Sequence, residues 1–253
     1  MATGILYLKT KAITPSNRIQ LFERAFKLYC FDRELRLVLL REIEKIEVAV
    51  RSQMNHILAH EKGVYWFTEE ELFRDKEKFK QSLDNLKEDV KRGDEQFIKS
   101  FKENYSNEFP PCWMILEVTS FGSLSMIYEN LRHGKTKRMI SEYFGLDRKS
   151  FTSWLHTLVY IRNVCAHHNR LWNRILSVQP RIPRSPREQW LNNGTENKKL
   201  YFVLSMIVYL LNTVNPNHSF VERLTTLLEK YPKADRGAMG FPDNWKTEPL
   251  WQY

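Results

Sequence analysis

Arg162, Asn163, His167, His168, Arg170 and Arg174 crowd into thirteen residues together with Cys165 and Trp172. On a helix, Asn163 and His167 are four apart and share a face, His167 and Arg170 are three apart, and the long Arg162 side chain can lean toward them. An arginine beside a histidine suits RNA cleavage without a metal. The 2′-hydroxyl must lose a proton and the leaving 5′-oxygen must gain one, which is work for imidazole near neutral pH, while guanidinium binds the phosphorane oxygens with two parallel hydrogen bonds. Asn163 would orient the pair. The same residue types also close an ordinary hydrogen-bonded helix end, and spacing alone leaves both readings open.

Charge favours an anionic partner. The formal charge is +9, from 39 Lys and Arg against 30 Asp and Glu. From Arg148 to Arg187 there is no acid at all, while Arg148, Lys149, Arg162, Arg170, Arg174, Arg181, Arg184 and Arg187 supply eight positive charges. Most of the net charge therefore sits in one segment, the pattern of a protein that meets a polyanion. Arg132, Lys135, Lys137 and Arg138 form a second basic cluster around Gly134. The expected RNA contacts are His168, Arg170 and Arg174, with Lys135 and Arg138 from that second cluster.

The segments that must position these residues read as helices. The chain has 253 residues, 42% of them hydrophobic and 27% charged. That is enough apolar chain to bury a core, and it excludes disorder as the main state. No 18-residue uncharged apolar run offers a membrane span; the longest, Leu200 to Leu211, reads as a buried helix. Cys30, Cys112 and Cys165 are odd in number and lack a Cys-x-x-Cys, against a disulfide framework or a thiolate zinc site. No signal peptide is readable in Ile5 to Leu8, so a reducing cytoplasm is expected.

Apolar positions recur with a helical period and alternating β patterns are scarce, so the expected fold is all-α in a single domain. Asp32 is expected to cap a long helix with Leu35, Val38, Ile43, Ile46, Val50, Met54 and Ile57 on one stripe, Arg36, Arg41, Glu44, Lys45 and Glu47 opposite, and a stop at Gly63. Thr68 with Glu71 is read as a capping box ahead of a peripheral helix through Phe79, Leu83, Leu86 and Val90 to Gly93. Pro111 opens Cys112 to Thr119, Gly122 and Ser123 break it, and Leu124 to Leu131 resumes it. A short helix covers Met139 to Phe144. Asp147 caps the helix that delivers Arg162 to His168. Residues 179–194 form a proline-rich loop, and helices follow at Leu200 to Val214 and, through a Ser219–Glu222 capping box, at Phe220 to Tyr231. Gly237 to Tyr253 is read as irregular coil.

Other constellations carry less chemistry. Arg51 and His56 repeat the Arg-x4-His spacing, but no Asn follows the arginine and the surroundings are apolar, favouring a structural role over a supporting RNA contact. His56 and His60 share a face without a third metal ligand, so they read as surface histidines and no metal site is expected. Cys165 reads as a packed thiol rather than a nucleophile. His168 and Arg170 suit either phosphate contact or the helix C-terminal dipole. Trp172 suits the core, a dimer interface or a stacked base. Arg181, Arg184 and Arg187 either track an RNA backbone or keep a loop soluble.

The string from Tyr160 to Arg174 resembles the signature of the Abi-like family, bacterial abortive-infection proteins of the AbiD and AbiF type within the HEPN superfamily. Three further stretches are similar: Phe31-Asp32-Arg33-Glu34-Leu35-Arg36-Leu37 leading into Ile46 to Arg51, Trp113 to Ser125, and Met239-Gly240-Phe241-Pro242-Asp243-Asn244-Trp245. The resemblance runs from about residue 19 to the C-terminus, which is taken as one HEPN-like domain of helical-bundle type with extra peripheral helices, behind an N-terminal segment 1–18.

This resemblance implies a metal-independent endoribonuclease with Arg162 and His167 as the motif pair and Asn163 as the polar residue after the arginine. Attack by the 2′-hydroxyl would leave 2′,3′-cyclic phosphate and 5′-hydroxyl ends. It further implies an RNA substrate, a homodimer with a composite cleft and a small structured RNA that restrains toxicity; no cofactor is expected, and the lack of an apolar span speaks against a membrane. Family members carry an aromatic-rich N-terminal extension, and Met1 to Pro15 stands in its place here. The alternatives are a non-catalytic RNA-binding protein using the same basic face and, further off, assistance to nucleotidyl transfer, for which the chain lacks a Gly- and Asp-rich site.

Overall fold

The computed structural model describes residues 15–192 and 194–252, with side chains from residue 19 onward. The segment Met1 to Thr14 lies outside the described residues. Among those described, nine α-helices account for the fold: α1 Pro15–Lys62, α2 Lys76–Arg92, α3 Gln96–Asn104, α4 Cys112–Val118, α5 Phe121–Asn130, α6 Lys135–Tyr143, α7 Arg148–Ala166, α8 Leu200–Val214 and α9 Phe220–Lys230. Among the described residues there is no strand, only an isolated bridge between Phe73 and Leu131. The all-α expectation holds.

The organising element is α8. Every residue from Leu200 to Leu211 is buried, so this helix is apolar around its whole circumference, as a central helix must be. Helices α1 and α7 pack against it and against each other, and α9 packs against α1. The expected stripe on α1 is buried, with Val38 half-buried. Glu42, fully buried on α1, pairs with Arg223 of α9 and with Lys45 at 3.0 Å, which ties the two helices together. The C-terminal segment, expected as irregular coil, holds two 3₁₀ turns, Trp245–Thr247 and Pro249–Trp251, and packs on α8: Trp251 stacks on Tyr201 at 5.6 Å and donates its indole N–H to Ser205 Oγ at 3.2 Å.

Several boundaries differ from the sequence reading, each for a local reason. Helix α1 begins at Pro15, not after Asp32. Asp32 therefore caps nothing; it lies in mid-helix, 4% exposed, and Arg36, expected on the solvent face, is 5% exposed beside it. Helix α2 is capped by Asp75, whose carboxylate accepts from Lys78 N at 3.0 Å, while the Thr68 hydroxyl donates to Tyr65 O in a 3₁₀ turn. The break between α4 and α5 falls at Thr119–Ser120, with Ser120 capping α5 by accepting from Ser123 N, so Gly122 and Ser123 belong to the new first turn. Ser219 makes no side-chain cap to α9. Helix α3, carrying only Ile98 and Phe101 into the core region, is too short for its periodicity to announce it.

Asp147 caps α7 as expected, accepting from Lys149 N at 2.8 Å and Ser150 N at 3.1 Å. Just before it, Gly145 has φ +68, and a Cβ there would sit 2.6 Å from the Tyr209 hydroxyl. Only glycine fits, and Tyr209 uses the space to donate to Gly145 O at 2.8 Å.

Candidate functional site at the C-terminal end of α7

Helix α7 buries Phe151, Trp154, Leu155, Leu158, Ile161, Val164 and Cys165. What remains outside is a polar stripe: His156, Tyr160, Asn163 and His167 recur at spacings of four, three and four and so share one face. Arg162 lies about 100° around the helix from Asn163, outside that stripe. Arg162, Asn163 and His167 are all exposed, as are His168, Arg170 and, just beyond the helix, Asn169. Arg174 is half-buried and donates to the Tyr160 hydroxyl at 3.3 Å and, through Nε, to Arg170 O at 2.8 Å. Burial pulls the Tyr160 phenol upward, but hydrogen bonding with Ser177 and Arg174 and the charge of Arg174 outweigh it and hold the phenol below its ordinary value.

The helix ends in a Schellman turn. His168 N–H donates to Cys165 O at 3.1 Å and Asn169 N–H to Val164 O at 3.0 Å. The left-handed residue of that turn, ordinarily glycine, is His168 at φ 57, the one non-glycine with positive φ among the described residues. An imidazole held where glycine would cost less by about 1 kcal/mol is a feature associated with functional sites.

The neighbouring helix contributes groups that spacing could not reveal. On α1, Arg51 donates to Glu47 at 3.1 Å and to Thr119 O at 3.0 Å, a structural tie of the kind expected for it. Burial pushes the Glu47 carboxyl up, more than the charges of Arg51 and Arg162 pull it down. The charge of Arg162 is thus felt by a half-buried acid on α1. One acid–arginine pair further toward the N-terminus, Asp32 and Arg36 meet the chain after α7: Asp32 Oδ1 accepts from Leu171 N at 2.9 Å and Trp172 N at 2.7 Å. These contacts join positions about 140 residues apart, and nothing local in the sequence signals them.

Two expected contacts are not brought to this place. Lys135 pairs with Glu61 at 3.2 Å and Arg138 with Glu142 at 3.5 Å. Glu61 lies about seven turns along α1 from the Arg36 that reaches Asn169 O, or about 38 Å at 1.5 Å per residue. The second basic cluster therefore sits at the opposite end of the bundle. Its Lys137 is not on the surface at all: it is 3% exposed, with Nζ donating to Glu129 O at 2.6 Å and Leu131 O at 3.2 Å.

The remaining candidates resolve simply. His56 and His60 have rings 6.5 Å apart, and the described residues hold no cluster of three or more metal-ligating side chains. Cys165 is buried, and burial pushes its thiol up to about 12, the opposite of a nucleophile's tuning. Trp172 packs half-buried against the core. Arg187 donates to Glu142 O and Tyr143 O at 3.1 and 3.2 Å, closing the end of α6. Arg181 and Arg184 are exposed in the loop.

Fold and surface together define an all-α protein that exposes an arginine, an asparagine and a histidine within six residues at the C-terminal end of α7. The family model of the Abi-like proteins matches residues 14–173, from the start of α1 to the loop beyond this helix end, and the chain belongs to that family. Membership points to abortive-infection defence. No curated protein and no solved structure matches the chain. No described helix is long and apolar enough to cross a membrane.

Proposed function

We propose that the protein is a metal-independent endoribonuclease of an abortive-infection system, a bacterial cytoplasmic toxin of HEPN type that cuts RNA through Arg162 and His167. The observation that carries this reading is the exposure of Arg162, Asn163 and His167 together at the end of α7, in a forty-residue stretch without an acidic residue. In this mechanism His167 transfers protons between the 2′-hydroxyl and the leaving oxygen, Arg162 binds the non-bridging oxygens as charge builds on the phosphorane, and Asn163 orients them. His168, Arg170 and Arg174 hold flanking phosphates. The open setting supports a polymeric substrate. A groove of about 770 Å³ runs between α1 and the chain after α9, and none of these residues lines it, whereas small-molecule sites are concave.

An open site needs a second surface to exclude water, and a second copy supplies it in this reading. Ile19, Phe22, Phe26 and Tyr29 form an exposed apolar seam on α1 with the spacing of paired helices, Phe22 being 71% exposed. A homodimer with a composite cleft is therefore part of the proposal. The restraining partner is a small structured RNA, consistent with the charge of +9.

The test is incubation of the purified protein and its His167→Ala variant with total RNA in EDTA, with the fragment ends mapped. Cleavage by the wild type alone, leaving 2′,3′-cyclic phosphate ends, is expected. Because the site is open in one protomer, a second reading is an RNA-binding protein that uses these residues for contact only. Salt-sensitive RNA binding without any cleavage would replace the first reading with the second.

A further inference from the structure

The Asp32–Arg36 pair is unusual for its place. Both side chains are almost completely buried in the middle of α1, where a helix that packs against a core ordinarily carries apolar residues. A buried ion pair stabilises only when its remaining lone pairs and protons are also used. Here both oxygens of Asp32 are occupied, and the bonds that leave the pair all go to one target. Asp32 Oδ2 takes the Arg36 guanidinium, Asp32 Oδ1 accepts from the backbone amides of Leu171 and Trp172, and Arg36 reaches the backbone carbonyl of Asn169 at 3.4 Å. The bonds of this pair run to the backbone immediately after His167 and His168.

The consequence for the site is geometric. On its upstream side, the turn at His167 and His168 is tied to α7 by the two Schellman hydrogen bonds. On its downstream side it is tied to α1 by the acid–arginine pair, with the Leu171 side chain fully buried beside it. Between these ties, the side chains of His167, His168 and Arg170 are all exposed. Fixed at both ends, the turn holds His168 in its left-handed conformation, a strain that a loose loop would relax.

Charge explains why both members are needed. Two loop amides call for a carboxylate, yet a bare carboxylate under the acid-free stretch would repel a phosphate above it. Arg36 cancels that charge where it lies. The pair is a neutral clamp beneath a cationic loop.

We propose that Asp32 and Arg36 are positioning residues for the Arg162–His167 site: they fix the loop from Asn169 to Trp172 and thereby the placement of His167 relative to Arg162. The catalytic side of this claim rests on the ribonuclease reading above; its structural side does not.

The test compares wild type with Asp32→Asn, which keeps an acceptor but loses the charge, and with Asp32→Asn/Arg36→Leu, which removes both charges and leaves no unpaired buried ion. Amide hydrogen exchange is followed at Leu171 and Trp172 and, as a control for global stability, along Leu204 to Leu211 of α8. Single-turnover RNA cleavage is followed in parallel. Both variants are expected to speed exchange at the two loop amides while α8 stays protected. The cleavage rate constant should fall by about a hundredfold, the scale of an ångström-sized misplacement, and by clearly more than RNA affinity does. Unaltered loop exchange overturns the clamp. So does a loss of activity that follows exchange in α8, because that is general destabilisation. If the wild type cuts no RNA, the ribonuclease reading fails, and the clamp stands or falls on loop exchange and on the shift of the His167 ring resonances in the variants.

Discussion

The two basic clusters look alike in composition and differ in what their charges meet. Around Gly134, Lys135 and Arg138 are each paired with a glutamate and Lys137 is driven into the bundle to hold two backbone carbonyls. At the end of α7, Arg162, His167, His168 and Arg170 are exposed, and among the described residues none has a carboxylate within 4.0 Å. In the first cluster Lys137 is given over to the fold, Lys135 and Arg138 meet glutamates at the surface, and Arg132 stays exposed. The second leaves its charge available to a partner, and the acids near it, Asp32 and Glu47, are occupied by arginines of α1. A count of lysines and arginines cannot make that distinction; what each charge meets, Glu61 on α1, Glu142 on α6 or two backbone carbonyls, does.

The strongest way to break this contrast is to remove one residue at each end. Arg162→Ala or His167→Ala should lower RNA cleavage by about a thousandfold or more, and because both side chains are exposed the thermal midpoint should stay where it is. Lys135→Ala/Arg138→Ala should leave cleavage of a short RNA unaltered. Binding sharpens the comparison further. Arg170→Ala and Arg174→Ala should each weaken RNA binding across sequences and lower the slope of log affinity against log salt by about 1, read by a titration at several salt concentrations.

Lys137 gives a test through pH. Burial above all, with Arg74 and then Arg148 adding to it and Glu129 opposing, brings this lysine down to about 8. Between that value and the ordinary lysine value near 10.5, the unfolded chain binds more protons at this site than the folded one. Wild-type stability should therefore rise with pH over that window relative to Lys137→Met, as measured by denaturant unfolding at about pH 7.5, 9 and 10. A parallel pH dependence in the two proteins would return Lys137 to the surface. The smallest expected effect is at the helix end: His168→Gly should stabilise the fold by about 0.5–1 kcal/mol by relieving the left-handed strain, while weakening RNA contact.

Much of the scaffold is legible in the sequence because it repeats. The buried stripes of α1, α7 and α8, the stop at Gly63 and the cap at Asp147 follow from spacing and local chemistry alone, and so does the burial of Cys165. Asp32 misleads for an instructive reason. An aspartate ahead of an apolar run looks like a cap when its partners are taken to be three residues away, and its partners prove to be Leu171 and Trp172. Arg36 and Lys137 mislead in the same way: spacing assigns a charged side chain to solvent, while backbone carbonyls far along the chain, or across a turn, accept its protons. Of the candidate site, Arg162, Asn163 and His167 are legible as a spacing. The supports supplied by α1 are not, because tertiary hydrogen bonds to backbone leave no periodic trace.

The most direct measurement is single-turnover cleavage of one RNA in EDTA by wild type, His167→Ala and Lys135→Ala/Arg138→Ala side by side. Cutting by the wild type and the double variant at equal rates, with 2′,3′-cyclic phosphate ends, and none by His167→Ala on the same timescale, is expected. Cutting by His167→Ala, or loss of cutting in the double variant with its fold intact, would contradict the assignment of the chemistry to the end of α7.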